Sequence, residues 1–178
     1  MPEQQLISIV MGSKSDLEVM SNVANILDKF GILYEMRIIS AHRTPDEAYK
    51  FSRSARSRGV KVIIAGAGKA AHLAGVIASL TTLPVIGIPM TTSDLGGLDS
   101  LLSTVQMPGG IPVATTAIGK AGATNAALLA VSILALFKED LVQKLEVYRL
   151  EMQREVESAD REVIASCIPN DYCSSGGS

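Results

Sequence analysis

The chain has 178 residues and a formal net charge of −2 at pH 7, and its composition is 47% hydrophobic but only 4% aromatic. This length favours one domain with an aliphatic core, and the weak charge argues against a nucleic-acid partner. We expect no signal peptide, and the longest near-apolar run, from Ala126 to Phe137, is too short to cross a bilayer. That run predicts a helix buried on most sides. Because both cysteines, Cys167 and Cys173, lie near the C-terminus, we expect a cytoplasmic protein without structural disulfides.

Short apolar runs alternate with helical patterns along most of the chain. The apolar runs predict five strands, at Leu6–Met11, Tyr34–Ile39, Val60–Ala65, Pro84–Ile88 and Val113–Ile118. The segments that follow them predict helices at Leu17–Phe30, Asp46–Arg58, a stretch ending near Leu80, Leu98–Val105 and Gly119–Phe137. This alternation predicts an α/β fold with three αβα layers and a flavodoxin-like, parallel five-stranded sheet in the order 2-1-3-4-5.

The composition changes at Lys138, where a charged segment with a regular apolar stripe begins. The stripe predicts an extra C-terminal amphipathic helix, and its apolar positions are Leu141, Leu145, Tyr148, Met152, Val156, Ala159 and Val163. Because the sheet is already complete, we expect this helix to pack on another subunit, although it can also fold back on its own domain. The prediction is therefore one domain over residues 1–160, followed by a disordered tail over 161–178 that is Ser/Gly-rich from Asn170 to Ser178.

Three loops follow the strands that the predicted order places side by side. They are Gly12–Asp16, Ser40–Pro45 and Gly66–Leu73. Ligands bind open α/β sheets outside the carboxyl ends of the strands, at the point where the strand order reverses. We therefore expect these loops to face one crevice.

The first of these loops has the features of an anion-binding loop. It opens a helix directly after a strand, where backbone N–H groups and the helix dipole favour an anion, and Ser13 and Ser15 add hydroxyl donors. Asp16 is expected either to accept hydrogen bonds from sugar hydroxyls or to cap its helix. The guanidinium of Arg43 would complete a phosphate clamp from across the crevice.

The two histidines of the chain, His42 and His72, both lie in the predicted crevice loops. Histidine titrates near neutral pH, so His42 beside the fixed cation of Arg43 suits proton transfer next to an anionic substrate. The alternative for His42 and Arg43 is a solvated helix cap. Gly66 and Gly68 let a planar ligand approach the backbone, or they serve close packing of helix on sheet.

Several motifs taken together resemble the class I N5-carboxyaminoimidazole ribonucleotide mutases of purine biosynthesis. The resemblance covers roughly residues 6 to 150, and its motifs are Gly12–Asp16, Ser40–Pro45, Ala65–Gly68, Ala70–Leu73, Val105–Pro108 and Ala117–Gly122. It implies an isomerase that moves a carboxylate from the exocyclic N5 to ring carbon C4 of a ribonucleotide, through loss and recapture of CO2. It also implies that no metal, cofactor or ATP takes part.

The resemblance also implies roles for particular residues. His42 is the general acid and base, and the remaining positions bind substrate. The ribose phosphate is held by Ser13, Asp16 and Arg43, and the base and carboxylate pocket is lined by Ser40, Gly68, His72 and Leu73. The expected assembly is a homo-octamer, and the expected functional partner is an ATP-dependent carboxyaminoimidazole ribonucleotide synthetase.

The sequence departs from the family pattern at two positions. Lys69 stands where the family commonly has glycine, and Ala74 where it commonly has proline. Lys69 either places a cation near the carboxylate or points to solvent, and we expect solvent; Ala74 is expected to loosen the loop after His72. Two other functions remain open from the sequence: a carboxylase that takes aminoimidazole ribonucleotide and CO2 directly, and a non-catalytic nucleotide-binding module of flavodoxin type.

Overall fold

The computed structural model describes residues 7–167. At its centre is a five-stranded sheet in which every neighbouring pair of strands is parallel, in the order β2-β1-β3-β4-β5. The strands are Ile7–Met11 (β1), Tyr34–Ile38 (β2), Val62–Ala67 (β3), Val85–Pro89 (β4) and Ala114–Thr115 (β5). The predicted fold class and strand order are therefore confirmed.

Helices cover both faces of this sheet. Ala65 of β3 packs in an apolar cluster with residues of the second and third helices, whereas a Cβ added at the next residue, Gly66, would point at Met20 of the first helix. Successive strand residues face opposite sides, so the first helix lies on the other face, where it packs against the fifth helix. The helices of this part of the chain are Leu17–Phe30 (α1), Pro45–Ala55 (α2), Leu73–Leu80 (α3), Leu98–Val105 (α4) and Gly119–Ala135 (α5).

The boundaries of α1 show how closely local chemistry sets an element. Its apolar residues face the core, including Met20, Val23 and Leu27, all of which are fully buried. Gly31 ends the helix in the left-handed conformation (φ 67°), and its N–H bonds back to the carbonyl of Asp28. Glycine takes this conformation at little steric cost, so the predicted boundaries of α1 are confirmed.

Two strands differ from their predicted ranges. β3 begins at Val62 rather than at Val60, because the N–H of Val60 is still bonded to the carbonyl of Ala55 at the end of α2. It continues to Ala67 because β4 pairs with it there. β5 was predicted as Val113–Ile118 but is only two residues long. Beyond them, the N–H of Thr116 still donates to the carbonyl of Gly87 in β4 (3.0 Å), and the Thr116 hydroxyl donates to the carbonyl of Gly122 in α5 (3.0 Å).

The run from Ala126 to Phe137, predicted to be buried on most sides, is so only within α5. There every residue of the run except Leu129 (38% exposed) is buried or half-buried, whereas Leu136 and Phe137 follow the end of the helix and are 77% and 86% exposed. The small residues of this helix, such as Ala126 and Ala130, supply the close contact with the rest of the sheet domain. Within residues 7–167, no helix is both long enough and apolar enough to cross a membrane.

The chain divides into two compact units between Phe137 and Lys138. The described part of the second unit contains one long helix, Glu139–Cys167 (α6), with exposed apolar residues that include Val147, Leu150 and Val156. The predicted C-terminal helix is therefore present, but it continues beyond residue 160, and the prediction that disorder begins at 161 is wrong for residues 161–167. The remainder of the predicted tail, 168–178, lies outside the described residues.

Candidate active site

One cleft of about 490 Å³ lies at the carboxyl ends of the central strands. Its walls come from the loops that follow β1, β2, β3 and β4. The structure brings every predicted site residue to this cleft: Ser13, Asp16, Ser40, His42, Arg43, Gly68, His72 and Leu73. Its volume falls in the range of about 300–1,000 Å³ that is usual for small-molecule sites.

The loop after β1 presents polar groups ahead of α1. Ser13 is extended, and its Oγ accepts hydrogen bonds from the N–H of Ser15 (3.3 Å) and from the Ser15 hydroxyl (3.0 Å). A short 3-10 turn, Lys14–Asp16, then leads into α1. Asp16 directly precedes the helix but its side chain makes no capping bond, so the capping alternative for Asp16 is wrong.

The carboxyl group of Asp16 is held in an unusual environment. Burial raises its pKa above the usual 3.8, and hydrogen bonds involving Ser15 and Ser13 offset this only in part. Hydrogen-bond donors of a ligand, such as hydroxyl groups, would therefore stabilise the charged carboxylate. This favours the expectation that Asp16 accepts from sugar hydroxyls.

The loop after β2 is a compact turn that aims Arg43 at the first loop. The hydroxyl of Thr44 accepts from the N–H of Ser40 (3.0 Å) and donates to the Ser40 carbonyl (3.1 Å). The Ser40 hydroxyl in turn accepts from the N–H of Arg43 (3.2 Å). Nη2 of Arg43 donates to the carbonyl of Gly12 at 3.2 Å, so the guanidinium links the β1 and β2 loops.

His42 and His72 meet within the cleft. Nε2 of His42 lies 2.9 Å from Nδ1 of His72, and the rings meet edge to face, with centroids 5.0 Å apart and an interplanar angle of 78°. At this distance one hydrogen lies between the two nitrogens, donated by one ring or the other according to tautomer. Both histidines are exposed to solvent, so a proton has a path between the cleft and the two rings.

The loop after β3 brings small residues and His72 to the cleft. A Cβ at Gly66 would collide with the side chains of Met20 and Met90, so packing explains that glycine. A Cβ at Gly68 would lie 3.4 Å from Cβ of Met90 and 3.5 Å from Cγ2 of Thr92, which are ordinary contacts. Packing therefore does not require glycine at position 68, which lines the cleft, whereas it does at position 66.

Lys69 and Ala74, the two departures from the family pattern, have different environments. Ala74 is the second residue of α3, is buried, and packs in the apolar cluster that includes Ala65. Lys69 is largely exposed, as expected, but its Nζ lies 2.6 Å from Oδ2 of Asp94. The hydrogen bond between them raises the pKa of Lys69 and lowers the pKa of Asp94, so both groups are charged at neutral pH.

One wall of the cleft was not predicted from the sequence. The loop after β4 contributes Met90, Thr91, Thr92 and Ser93. The signal was available, because the predicted order places β4 beside β3 and the segment that follows it is rich in hydroxyl side chains.

No group of three or more His, Cys, Asp or Glu side chains within residues 7–167 is arranged to hold a metal ion.

The family model described as AIR carboxylase matches residues 6–155. The chain belongs to this family. It is 57% identical over 159 residues to an N5-carboxyaminoimidazole ribonucleotide mutase of Bacillus subtilis, which covers 89% of this chain and 98% of the relative. It is 58% identical over 155 residues to a protein of the same name from Pyrococcus horikoshii, covering 87% of this chain and 86% of that one.

A solved structure supports the same assignment at the level of the fold. The crystal structure of PurE from Treponema denticola superposes with a TM-score of 0.79, at 28% sequence identity, over 88% of this chain and 97% of that one. The family match and the two mutase relatives confirm the resemblance drawn from the loop motifs, and this structure shows that the fold is shared.

Proposed function

We propose that the protein is an N5-carboxyaminoimidazole ribonucleotide mutase, an isomerase of de novo purine biosynthesis. The observation that carries this proposal is the hydrogen-bonded pair of His42 and His72, set in one cleft with Arg43. A proton relay beside a cation is what a reaction on an anionic nucleotide requires. The mutases that share more than half of their aligned residues with this chain support the choice of reaction.

The phosphate end of the substrate is assigned to the β1 and β2 loops. Arg43 already bonds to the carbonyl of Gly12 and lies over the loop that leads into α1. A phosphate placed there meets the guanidinium, the Ser13 hydroxyl and the positive end of the helix dipole. Asp16 accepts from the ribose hydroxyls beside it.

The base end of the substrate is assigned to Ser40, Gly68, His72 and Leu73, with His42 as the acid and base. The bond between N5 and its carboxylate breaks, the electron pair stays on N5, and CO2 is released into the cleft. C4 then forms a bond to the same CO2. His42 gives a proton to N5 and takes one from C4, so the reaction is balanced without a co-reactant. His72, 2.9 Å from His42, orients the ring and shares the proton.

The direct test is turnover of the purified protein with N5-carboxyaminoimidazole ribonucleotide, without ATP, metal or added bicarbonate. We expect the C4-carboxylated isomer, followed by ultraviolet absorbance and identified by mass. The family description, AIR carboxylase, favours one other candidate, a carboxylase that uses CO2 directly. That candidate is correct if product forms only from aminoimidazole ribonucleotide and high bicarbonate. If neither reaction occurs, the protein is a nucleotide-binding module instead.

The role of His42 is tested by the substitution His42→Asn, which keeps a hydrogen-bonding side chain but removes the titratable ring. General acid–base catalysis typically contributes about 10²- to 10⁴-fold, so we expect kcat to fall by that factor. Substrate binding, measured by isothermal calorimetry, should change little. Near-normal turnover by a variant that still binds substrate would show that the proton passes elsewhere.

We also propose a cytoplasmic homo-octamer that works with an ATP-dependent synthetase supplying the N5-carboxylated substrate. Support for assembly comes from α4, where Leu98, Leu102 and Val105 form an apolar stripe and are 46–54% exposed. Light scattering should give a mass of about 150 kDa, eight times the 18.8 kDa of one chain. A mass of one or two chains would contradict the octamer and leave the mutase assignment unchanged.

A further inference from the structure

The ion pair between Lys69 and Asp94 joins two loops that line the same side of the cleft. Lys69 belongs to the β3–α3 loop with Gly68 and His72, and Asp94 follows the cleft residues Thr92 and Ser93 in the β4–α4 loop. The two charged atoms are 2.6 Å apart, and both side chains are largely exposed.

The β4–α4 loop is otherwise fastened mainly to its own helix. Oγ1 of Thr92 accepts from the N–H of Gly97 (3.1 Å) and donates to Oδ1 of Asp99 (2.8 Å). The strands themselves last meet where the N–H of Met90 donates to the carbonyl of Ala67 (2.9 Å). Past that point, the Lys69–Asp94 pair is the shortest polar contact that the described residues make between the two loops. The Ser103 hydroxyl of α4 donates to the Lys69 carbonyl only at 3.5 Å.

The backbone at Lys69 is unfavourable for a lysine. Within residues 7–167, Lys69 is the only non-glycine residue with a positive φ, 55°. Glycine adopts this conformation without a steric cost from Cβ. A glycine at this position would relax the loop but would remove the ammonium group that meets Asp94.

We propose that the Lys69–Asp94 ion pair is a strap that holds the two loops together while CO2 is free in the cleft. It is a positioning pair and touches no reacting atom. The proposal rests on the proposed mutase function, in which CO2 leaves N5 and must be recaptured by C4. Separation of the loops would widen the cleft and let more CO2 escape before C4 captures it, and more turnovers would then end as aminoimidazole ribonucleotide instead of the C4-carboxylated isomer.

The test compares the wild-type protein with Lys69→Gly and Asp94→Asn, using N5-carboxyaminoimidazole ribonucleotide. The readout is the ratio of aminoimidazole ribonucleotide to C4-carboxylated product, after subtraction of the loss without enzyme. A second readout is ¹³C from labelled bicarbonate that enters the product. From the usual strength of exposed ion pairs, each variant should raise both the product ratio and the ¹³C content of the product by about two- to fivefold. We call the share of turnovers that end as aminoimidazole ribonucleotide the leak. The leak of the double variant should be no larger than that of either single variant, because the two residues act through one contact.

Ionic strength supplies an independent readout. Salt weakens exposed ion pairs, and at about 1 M the Debye length falls to about 3 Å, close to the 2.6 Å between Lys69 and Asp94. The leak of the wild-type protein should therefore rise towards that of the variants as salt is added, whereas the leak of Lys69→Gly should stay nearly constant. A purely structural defect in the variants would not produce this convergence.

Two controls separate the strap from loss of folding. Lys69→Gly should unfold at the same temperature as the wild type or higher, since the strained φ is relieved. Glu47→Gln breaks an exposed ion pair of α2 with Lys50 (3.4 Å), away from the cleft, and should leave the leak unchanged. If the wild type forms isomer but the leak is the same in all proteins, the strap is refuted and the mutase stands. If the wild type forms no isomer, the proposed function fails and the strap fails with it.

Discussion

Removal of the Arg43 side chain tests the phosphate site most directly. In the free protein the guanidinium donates to the Gly12 carbonyl (3.2 Å) and, weakly, from Nε to the Ser40 hydroxyl (3.5 Å). These acceptors are exposed, so water replaces the lost donors at little cost. What Arg43→Ala loses is the charged hydrogen bonding to phosphate, about 1.5–3 kcal/mol. At about 1.4 kcal/mol per factor of ten, KM should rise about 10- to 150-fold.

The phosphate is remote from N5 and C4, so this loss should be equal in the ground state and the transition state. We therefore expect kcat to change little while KM rises. Arg43→Lys keeps the charge but not the bidentate geometry of the guanidinium. Its KM should lie between those of the wild type and Arg43→Ala. Both constants come from initial rates across substrate concentration. Arg56→Ala is a matched control, because Arg56 is an exposed arginine that bonds to Thr82 outside the cleft.

A large fall in kcat with unchanged KM would refute this reasoning, since Arg43 would then act at the reacting carbons. An unchanged KM in both Arg43 variants would place the phosphate elsewhere in the cleft. Thermal unfolding of each variant shows whether the loops still fold.

Two further predictions concern stability. Gly122→Ala should destabilise the protein by about 1–3 kcal/mol or more in urea unfolding, because the added Cβ would overlap the carbonyl of Ala117. Gly109→Ala places its Cβ in open space and should leave the free energy of unfolding nearly unchanged. Asp16→Asn should raise the free energy of unfolding at pH 7. Burial raises the folded-state pKa of Asp16 above 3.8, so the folded state binds the proton more tightly and loses stability as pH rises from about 3.8 through that raised pKa. The advantage of Asn should vanish near pH 3.8, and an advantage that grows as pH falls would contradict this sign.

Much of the fold could be predicted because local signals agree with the tertiary structure. Apolar runs such as Ile7–Met11 form buried parallel strands, and glycines such as Gly31 end helices where expected. The errors lie at the ends of elements. β5 is only two residues long although the N–H of Thr116 still donates to the carbonyl of Gly87 in β4. Leu136 and Phe137 are apolar but lie past the end of α5 and are exposed.

The candidate site was predictable to the extent that it depends on strand order. Once β2, β1 and β3 are neighbours, their loops must meet, and the structure places His42 within hydrogen-bonding distance of His72. The pairing of Lys69 with Asp94 was not predictable, since it depends on the positive φ of Lys69 and on the path of the β4–α4 loop. The sequence pattern indicates neither. The packing need of Gly66 likewise depends on two methionine side chains from distant segments.

The parallel arrangement of the sheet has a practical consequence for handling the protein. β1 enters the sheet at Ile7 and reaches the cleft only at its other end, after Met11. Five strand residues span about 16 Å. An affinity tag, a surface tether or a fluorescent label attached ahead of Ile7 is therefore joined to β1 at the end of the strand that is farther from the cleft. Immobilised protein prepared in this way should present the cleft to solution, which suits the binding and turnover measurements described above.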